Sequence, residues 1–141
     1  MRIAIYARKS VFAENSDSVK NQERMAREYA ALHFEGDHTF LLYMDEDYTG
    51  ANTNRPGLKD FMRDVKAGII DFLIVYQLDR LSRNVRDFSN IYAFMEDHSV
   101  GFVSVKENID TSTPLGKAMM YVSVVFAQME RETISNRVAI T

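Results

Sequence analysis

Four short apolar runs, each followed by a stretch with helical spacing, constrain this chain more than any other feature. The runs cover Arg2–Ala7, Thr39–Met44, a run opening Phe72-Leu73-Ile74-Val75, and Phe102–Val105. The third is unbroken, as in a strand buried on both faces. Between them the spacing predicts a helix from an N-cap at Asp17 or Ser18 to about His33. A second runs from Pro56 to a stop at Gly68, with Leu58, Phe61, Met62 and Val65 on one face. A third spans about Asn84 to His98, with Val85, Phe88, Ile91, Tyr92 and Met95 inward. The last runs from Pro114 to about Val138, with no Gly or Pro beyond Gly116. The order βαβαβαβα predicts an α/β fold: a mainly parallel central sheet with helices on both faces. A length of 141 residues fits one domain. It divides into a core of about residues 1–112 and a long helix of about residues 113–141.

Chemistry-bearing residues collect where strands end, the place where open α/β sheets hold ligands. The third run leads into Leu78-Asp79-Arg80-Leu81-Ser82-Arg83-Asn84. Arg80 and Arg83 are three apart and share a face if a helix starts there. Two guanidiniums on one face can grip a phosphate, and paired surface ions are the plainer reading. The first run ends in Arg8-Lys9-Ser10. A serine hydroxyl needs activation, and flanking cations can steady the charge that develops on an electrophile. Asp45-Glu46-Asp47 follows the second run, and acids at a strand's end can hold Mg²⁺. Arg55 stands beside the start of the second helix. In the first helix Val19, Met25, Ala26, Tyr29, Ala30 and Leu32 approximate an apolar stripe. Gln22 lies in its first turn, where most glutamines are solvated.

Composition excludes several classes. The chain has no cysteine, so disulfides and thiol chemistry are absent. No apolar run approaches a membrane span and the N-terminal residues show no signal-peptide pattern, so a cytoplasmic location is expected and no membrane partner. The net charge is -3. Proteins that hold nucleic acid unaided usually carry a basic excess, so phosphate chemistry here needs local arginines. The last helix is apolar on nearly every side from Leu115 through Met119, Val122 and Phe126 to Met129. One small domain covers one face of it, so the rest is expected to meet another chain. Glu130-Arg131-Glu132 then restores charge.

The chain resembles the catalytic domain of a serine site-specific recombinase, the resolvase/invertase and large serine integrase family. The resemblance rests on Tyr6-Ala7-Arg8-Lys9-Ser10, on Leu78 to Asn84, and on Asn54-Arg55-Pro56-Gly57. It also rests on Ser112 to Lys117 with Ala127 to Glu132, and it covers essentially the whole chain. It implies a resolvase-like fold ending in a long interface helix, and a protein of bacterial, phage or mobile-element origin. It also implies that Ser10 attacks a DNA phosphodiester, forming a 5′-phosphoserine link and releasing a 3′-hydroxyl, with resealing inside a tetramer. Arg8, Arg80 and Arg83 fall on the family's phosphate-contacting arginines and Arg55 on a further active-site arginine. Asp79 falls on the carboxylate that orders them, and Gln22 on an active-site glutamine. Glu130 and Arg131 match a charged pair on the interface helix, Arg131 being assigned to DNA phosphate and Glu130 to the interface.

Double-stranded DNA is thus the expected substrate, with homodimers and tetramers of the full-length protein and no metal, ATP or other cofactor. Family members continue into a DNA-binding region, and no helix stop is seen at Val138-Ala139-Ile140-Thr141, so a region beyond this chain is expected. Two rivals compete. One is a Mg²⁺-dependent phosphoryl-transfer enzyme using Asp45 and Asp47, although beside the resemblance Asp45-Glu46-Asp47 reads as loop and capping acids. The other is a non-catalytic oligomerisation module built on the Leu115–Met129 helix.

Overall fold

The computed structural model describes residues 1–10, 18–47, 55–82 and 85–123, with 125, 126 and 129 beyond them. Ser10, Asp47 and Val85 are described in their backbone alone. The elements are β1 (Arg2–Ser10), α1 (Val19–His33), β2 (Thr39–Asp47), α2 (Pro56–Lys66), β3 (Phe72–Val75), α3 (Leu78–Leu81), α4 (Val85–Asp97), β4 (Gly101–Ser104) and β5 (Ile109–Asp110). Residues 114–123 are helical as well. The sheet order is β2-β1-β3-β4-β5. β1, β2, β3 and β4 are parallel, and β5 pairs antiparallel to β4.

Strand alternation divides the core between the two faces. Ala4, Tyr6, Tyr43, Leu73, Val75 and Phe102 point to one side, where Leu58, Phe61 and Val65 of α2 and Phe88, Ile91 and Met95 of α4 cover them. Ile3, Ile5, Ile74 and Val103 point to the other side, against Ala26, Tyr29 and Ala30 of α1. The sheet is therefore mostly parallel and covered by helices on both faces, as expected. Each of the Val, Leu, Ile, Phe and Met side chains taken fully from water contributes roughly 1.5–3 kcal/mol.

The helices start where local chemistry allows. Ser18 is the N-cap of α1, its hydroxyl accepting from the Asn21 N–H at 3.1 Å. α2 begins at Pro56 and is closed by Gly68, whose φ of +77° suits glycine. Thr113 caps the helical segment 114–123 by accepting from the Gly116 N–H at 3.0 Å.

Several expectations need correction. β1 and β2 do not stop at Ala7 and Met44. They stay paired as far as Ser10 opposite Asp47, because backbone pairing is indifferent to the charged side chains. The stripe of α1 is Gln22, Ala26, Tyr29 and Ala30, while Leu32 is 82% exposed. At about 100° per residue, Leu32 lies far round the helix from that stripe. The helix expected to carry Arg80 ends at Leu81 with Ser82 extended, and Arg83 lies outside the described residues. The stretch from Glu107 to Thr113, whose polar sequence predicts a loop, holds the short strand β5, because Asn108 turns at φ 56° and admits it.

The expected long final helix is described in part. Within it Met120 is buried, whereas Leu115 is 72%, Val122 52% and Phe126 62% exposed. Glu130 and Arg131 lie outside the described residues. Among the described residues no helix is long and apolar enough to cross a membrane.

Candidate active site

The sheet order reverses at β1 and β3. The chain leaves the carboxyl end of β1 toward α1 on one face, and the later crossover helix α4 packs on the opposite face. Such a divergence opens a crevice beyond the strand ends. Arg8 and Ser10 end β1 there, and α3 carries Asp79 and Arg80 immediately after β3.

Arg8 is half-buried, and its guanidinium donates from Nη2 to the carbonyl oxygen of Asp79 at 3.0 Å. Gln22 fixes the backbone beneath it: its Oε1 accepts from the Arg8 N–H at 3.3 Å and its Nε2 donates to the Arg8 carbonyl at 3.1 Å. Gln22 is thus a buried brace rather than a solvated glutamine, 1% exposed. Asp79 is exposed, and it is its main-chain carbonyl that meets Arg8. Arg80 is 8% exposed, and its Nε is buried without a hydrogen-bond partner among the described residues. A buried donor left unpaired costs on the order of 1–3 kcal/mol.

Arg55 enters from the start of α2. Its Nη2 donates to the Leu81 carbonyl and, at 2.9 Å, to the Tyr6 hydroxyl, while its Nε reaches that hydroxyl at 3.2 Å. Nη1 lies 3.3 Å from an Asp87 carboxylate oxygen. The guanidinium carbon also stands 5.3 Å from the centroid of the Tyr6 ring. Tyr6 in turn donates to Oδ2 of Asp45 at 2.6 Å. Burial pushes the Tyr6 phenol well above its ordinary range and Asp45 adds to the rise, with Arg55 opposing. It therefore stays neutral, donating to the carboxylate and accepting from the guanidinium.

Asp45 is 5% exposed and holds the first turn of α2 as well. Oδ1 accepts from the Gly57 N–H at 2.7 Å and Oδ2 from the Leu58 N–H at 3.0 Å. A carboxylate suits a helix N-terminus, where N–H groups are unpaired and the dipole is positive. Both oxygens being engaged, Asp45 is a capping acid at the end of a strand and a poor metal ligand. Among the described residues no cluster of three or more His, Asp or Glu is placed to hold a metal ion.

The structure thus gathers Arg8, Gln22, Arg55, Asp79 and Arg80 at one end of the sheet, with the backbone of Ser10. The side chain of Ser10, and Arg83 entirely, lie outside the described residues. Sequence reasoning missed Tyr6, Asp87, Ser104 and Glu107 as parts of this region. Tyr6 sits inside the motif that carries Arg8, so its place on the strand was the available signal. The three histidines offer no base here: His38 precedes β2, His98 precedes β4 and His33 ends α1. In a parallel sheet these positions lie toward the opposite edge.

Comparison with known proteins agrees with this arrangement. The family model described as the resolvase N-terminal domain matches residues 3–140. A DNA-invertase of Enterobacteria phage P7 is 38% identical over 96 residues, which are 68% of this chain and 50% of that protein. The serine recombinase gin of Escherichia phage Mu is 34% identical over 93 residues, 66% of this chain and 47% of its own. Among solved structures, the N-terminal catalytic domain of TP901-1 integrase superposes with a TM-score of 0.76 at 28% identity, covering 94% of this chain and 98% of that one. The chain spans about half the length of the curated relatives it matches. By sequence family and by fold, it belongs to the serine recombinases as a resolvase N-terminal domain.

Proposed function

We propose that this chain cleaves and rejoins duplex DNA in site-specific recombination, with Ser10 as the nucleophile. Ser10 Oγ attacks a backbone phosphorus and the bond from phosphorus to the 3′ oxygen breaks. The 5′ phosphate stays on the serine, and the proton that Ser10 gives up is balanced by the one that the 3′ oxygen takes as it leaves as a hydroxyl. Rejoining reverses the step, a 3′-hydroxyl displacing the serine after exchange in a tetramer. Conserving the bond energy in the phosphoserine makes ATP unnecessary. Phosphoryl transfer needs positioning and neutralisation of the equatorial oxygens more than elaborate machinery. Arg8, Arg80 and Arg83 are assigned to those oxygens, Arg55 to a supporting cation, Gln22 to the backbone of Arg8, and Arg131 to a neighbouring phosphate. Asp79 keeps the arginines in register.

The observation that carries this reading is the bond from the Arg8 guanidinium to the Asp79 carbonyl, which sets α3 and its Arg80 against the end of the strand that runs to Ser10. Cations of this kind stabilise developing charge without a metal, and catalysis is proposed to need none. The Mg²⁺ reading is weakened by the three donors already on Asp45. The test uses the whole protein on duplex DNA that it selects from a random library. Ser10→Ala is expected to bind that DNA and leave it uncut, and Arg80→Ala to lose roughly 2–4 kcal/mol of transition-state stabilisation, the scale of one missing oxyanion donor. Cleavage by wild type is expected to persist in excess EDTA. An adduct mapped to another residue, or activity lost with EDTA and restored by Mg²⁺, overturns the assignment.

A further inference from the structure

We infer that Glu107 is a positioning residue for this reaction, acting with Ser104 through the backbone of α3; the inference rests on the recombinase reading above. The α3 helix has four residues and Gln77, its N-cap, supplies no side-chain cap. Its leading N–H groups therefore need an acceptor from elsewhere. Glu107 provides it from the turn after β4: the Leu78 N–H donates to both carboxylate oxygens, at 3.0 and 3.2 Å. Ser104 is 0% exposed and donates its hydroxyl to the same carboxylate at 2.7 Å. The turn itself is anchored independently. The Val105 N–H donates to the Val75 carbonyl at 3.0 Å and the Lys106 N–H to the Tyr76 carbonyl at 2.8 Å.

The consequence concerns the two residues that follow Leu78. The Asp79 carbonyl receives the Arg8 guanidinium, and Arg80 presents its unpaired buried Nε. A four-residue helix has too few internal bonds to hold these groups by itself. Glu107 fixes its first residue, and the anion also occupies an N–H that a phosphate oxygen would otherwise take. Phosphate is thereby left to the guanidiniums. Glu107 touches no reacting atom in this scheme. It sets where Arg80 and the partner of Arg8 stand, and a displacement of about 1 Å at such groups can cost about a hundredfold in rate.

The test compares Glu107→Ala, Glu107→Gln and Ser104→Ala in the whole protein, on duplex DNA enriched from a random library by wild type. At saturating DNA, and at a temperature where the variant is fully folded, Glu107→Ala is expected to slow cleavage about tenfold to a hundredfold, with DNA affinity near wild type. Glu107→Gln keeps one acceptor for the Leu78 N–H and is expected to recover much of the rate. Ser104→Ala keeps the carboxylate and should lose less than Glu107→Ala. A second arm needs no activity: amide exchange at Leu78 and the Arg80 Nε–H resonance, followed by NMR in this chain. Both are expected to change in Glu107→Ala, Leu78 exchanging about tenfold faster or more. Cleavage by Glu107→Ala within twofold of wild type, a loss that merely tracks unfolding, or an unchanged Leu78 and Arg80 each overturns the inference. Failure of wild type to cleave any selected DNA instead counts against the recombinase reading, and the NMR arm still decides the role of Glu107.

Discussion

Tyr6 concentrates more constraint than any other residue at the site. It is fully buried, and its hydroxyl joins the acid that caps α2 to the arginine beside that cap. Tyr6→Phe keeps the ring and removes the link. Asp45 loses a donor, and Arg55 loses one of its acceptors in a half-buried place. Hydrogen bonds to charged groups contribute about 1.5–3 kcal/mol each, so urea unfolding of Tyr6→Phe is expected to show a loss of that order. An unchanged midpoint would mean that the Asp45–Tyr6–Arg55 chain stabilises nothing. The arginines were legible in the sequence because cations at strand ends are unusual. Tyr6 and Glu107 were not. A tyrosine inside an apolar strand reads as core, and a glutamate in a polar turn reads as solvated. Asp45 was read as a capping acid once the resemblance was in hand, but which helix it caps depends on α2 folding back beside the end of β2, a distance in space that spacing along the chain does not contain.

At the scale of elements, close approach of backbones replaces side-chain packing at two glycines. A Cβ on Gly57 would overlap the Met44 carbonyl, and one on Gly116 would overlap the carbonyl oxygen of Asp110. Gly116 thus lets the start of the helical segment 114–123 lie directly on the end of β5. Gly116→Ala improves intrinsic helix propensity by about 1 kcal/mol, but it forces that start away from the sheet. Overpacking of this kind costs roughly 1–3 kcal/mol, so chemical denaturation is expected to show a net loss. A more stable Gly116→Ala protein would show that the helical segment is not seated on Asp110. The four parallel strands and the helices between them were readable because each carries several turns or residues of period. β5 has two residues and no period to read. The break after Leu81 depends on the extended backbone of Ser82, which the sequence Arg80-Leu81-Ser82-Arg83 does not announce. Leu32 was misplaced because the apolar pattern of α1 was read without Gln22, the polar residue that completes its buried face.

For the whole molecule, the balance between exposed apolar surface and net charge sets what it associates with. The helical segment beginning at residue 114 buries Met120 on the body, while Leu115, Met119, Val122, Val125, Phe126 and Met129 remain between 43% and 72% exposed. An exposed apolar stripe of this kind marks an association surface. Tyr121 and Lys117 anchor the segment to α4: the Tyr121 hydroxyl donates to the Glu96 carboxylate at 2.7 Å, and Lys117 Nζ lies 3.8 Å from it. The stripe is therefore presented from a seated helix. Self-association of the chain should follow, growing with concentration, and sedimentation over a concentration series is expected to show monomer giving way to dimer. Met119→Lys or Val122→Lys places a charge in the stripe without touching the seat, and each should hold the chain monomeric. The net charge of -3 acts in the opposite sense on DNA. Neutralising phosphates supplies most non-specific affinity, so duplex DNA at physiological salt is expected to bind no tighter than about 10⁻⁴ to 10⁻⁶ M. If instead the chain stays monomeric at all concentrations yet binds one duplex sequence tightly, the stripe is not an association surface. The arginines at the strand ends would then supply affinity and sequence selectivity that their number and the net charge do not predict.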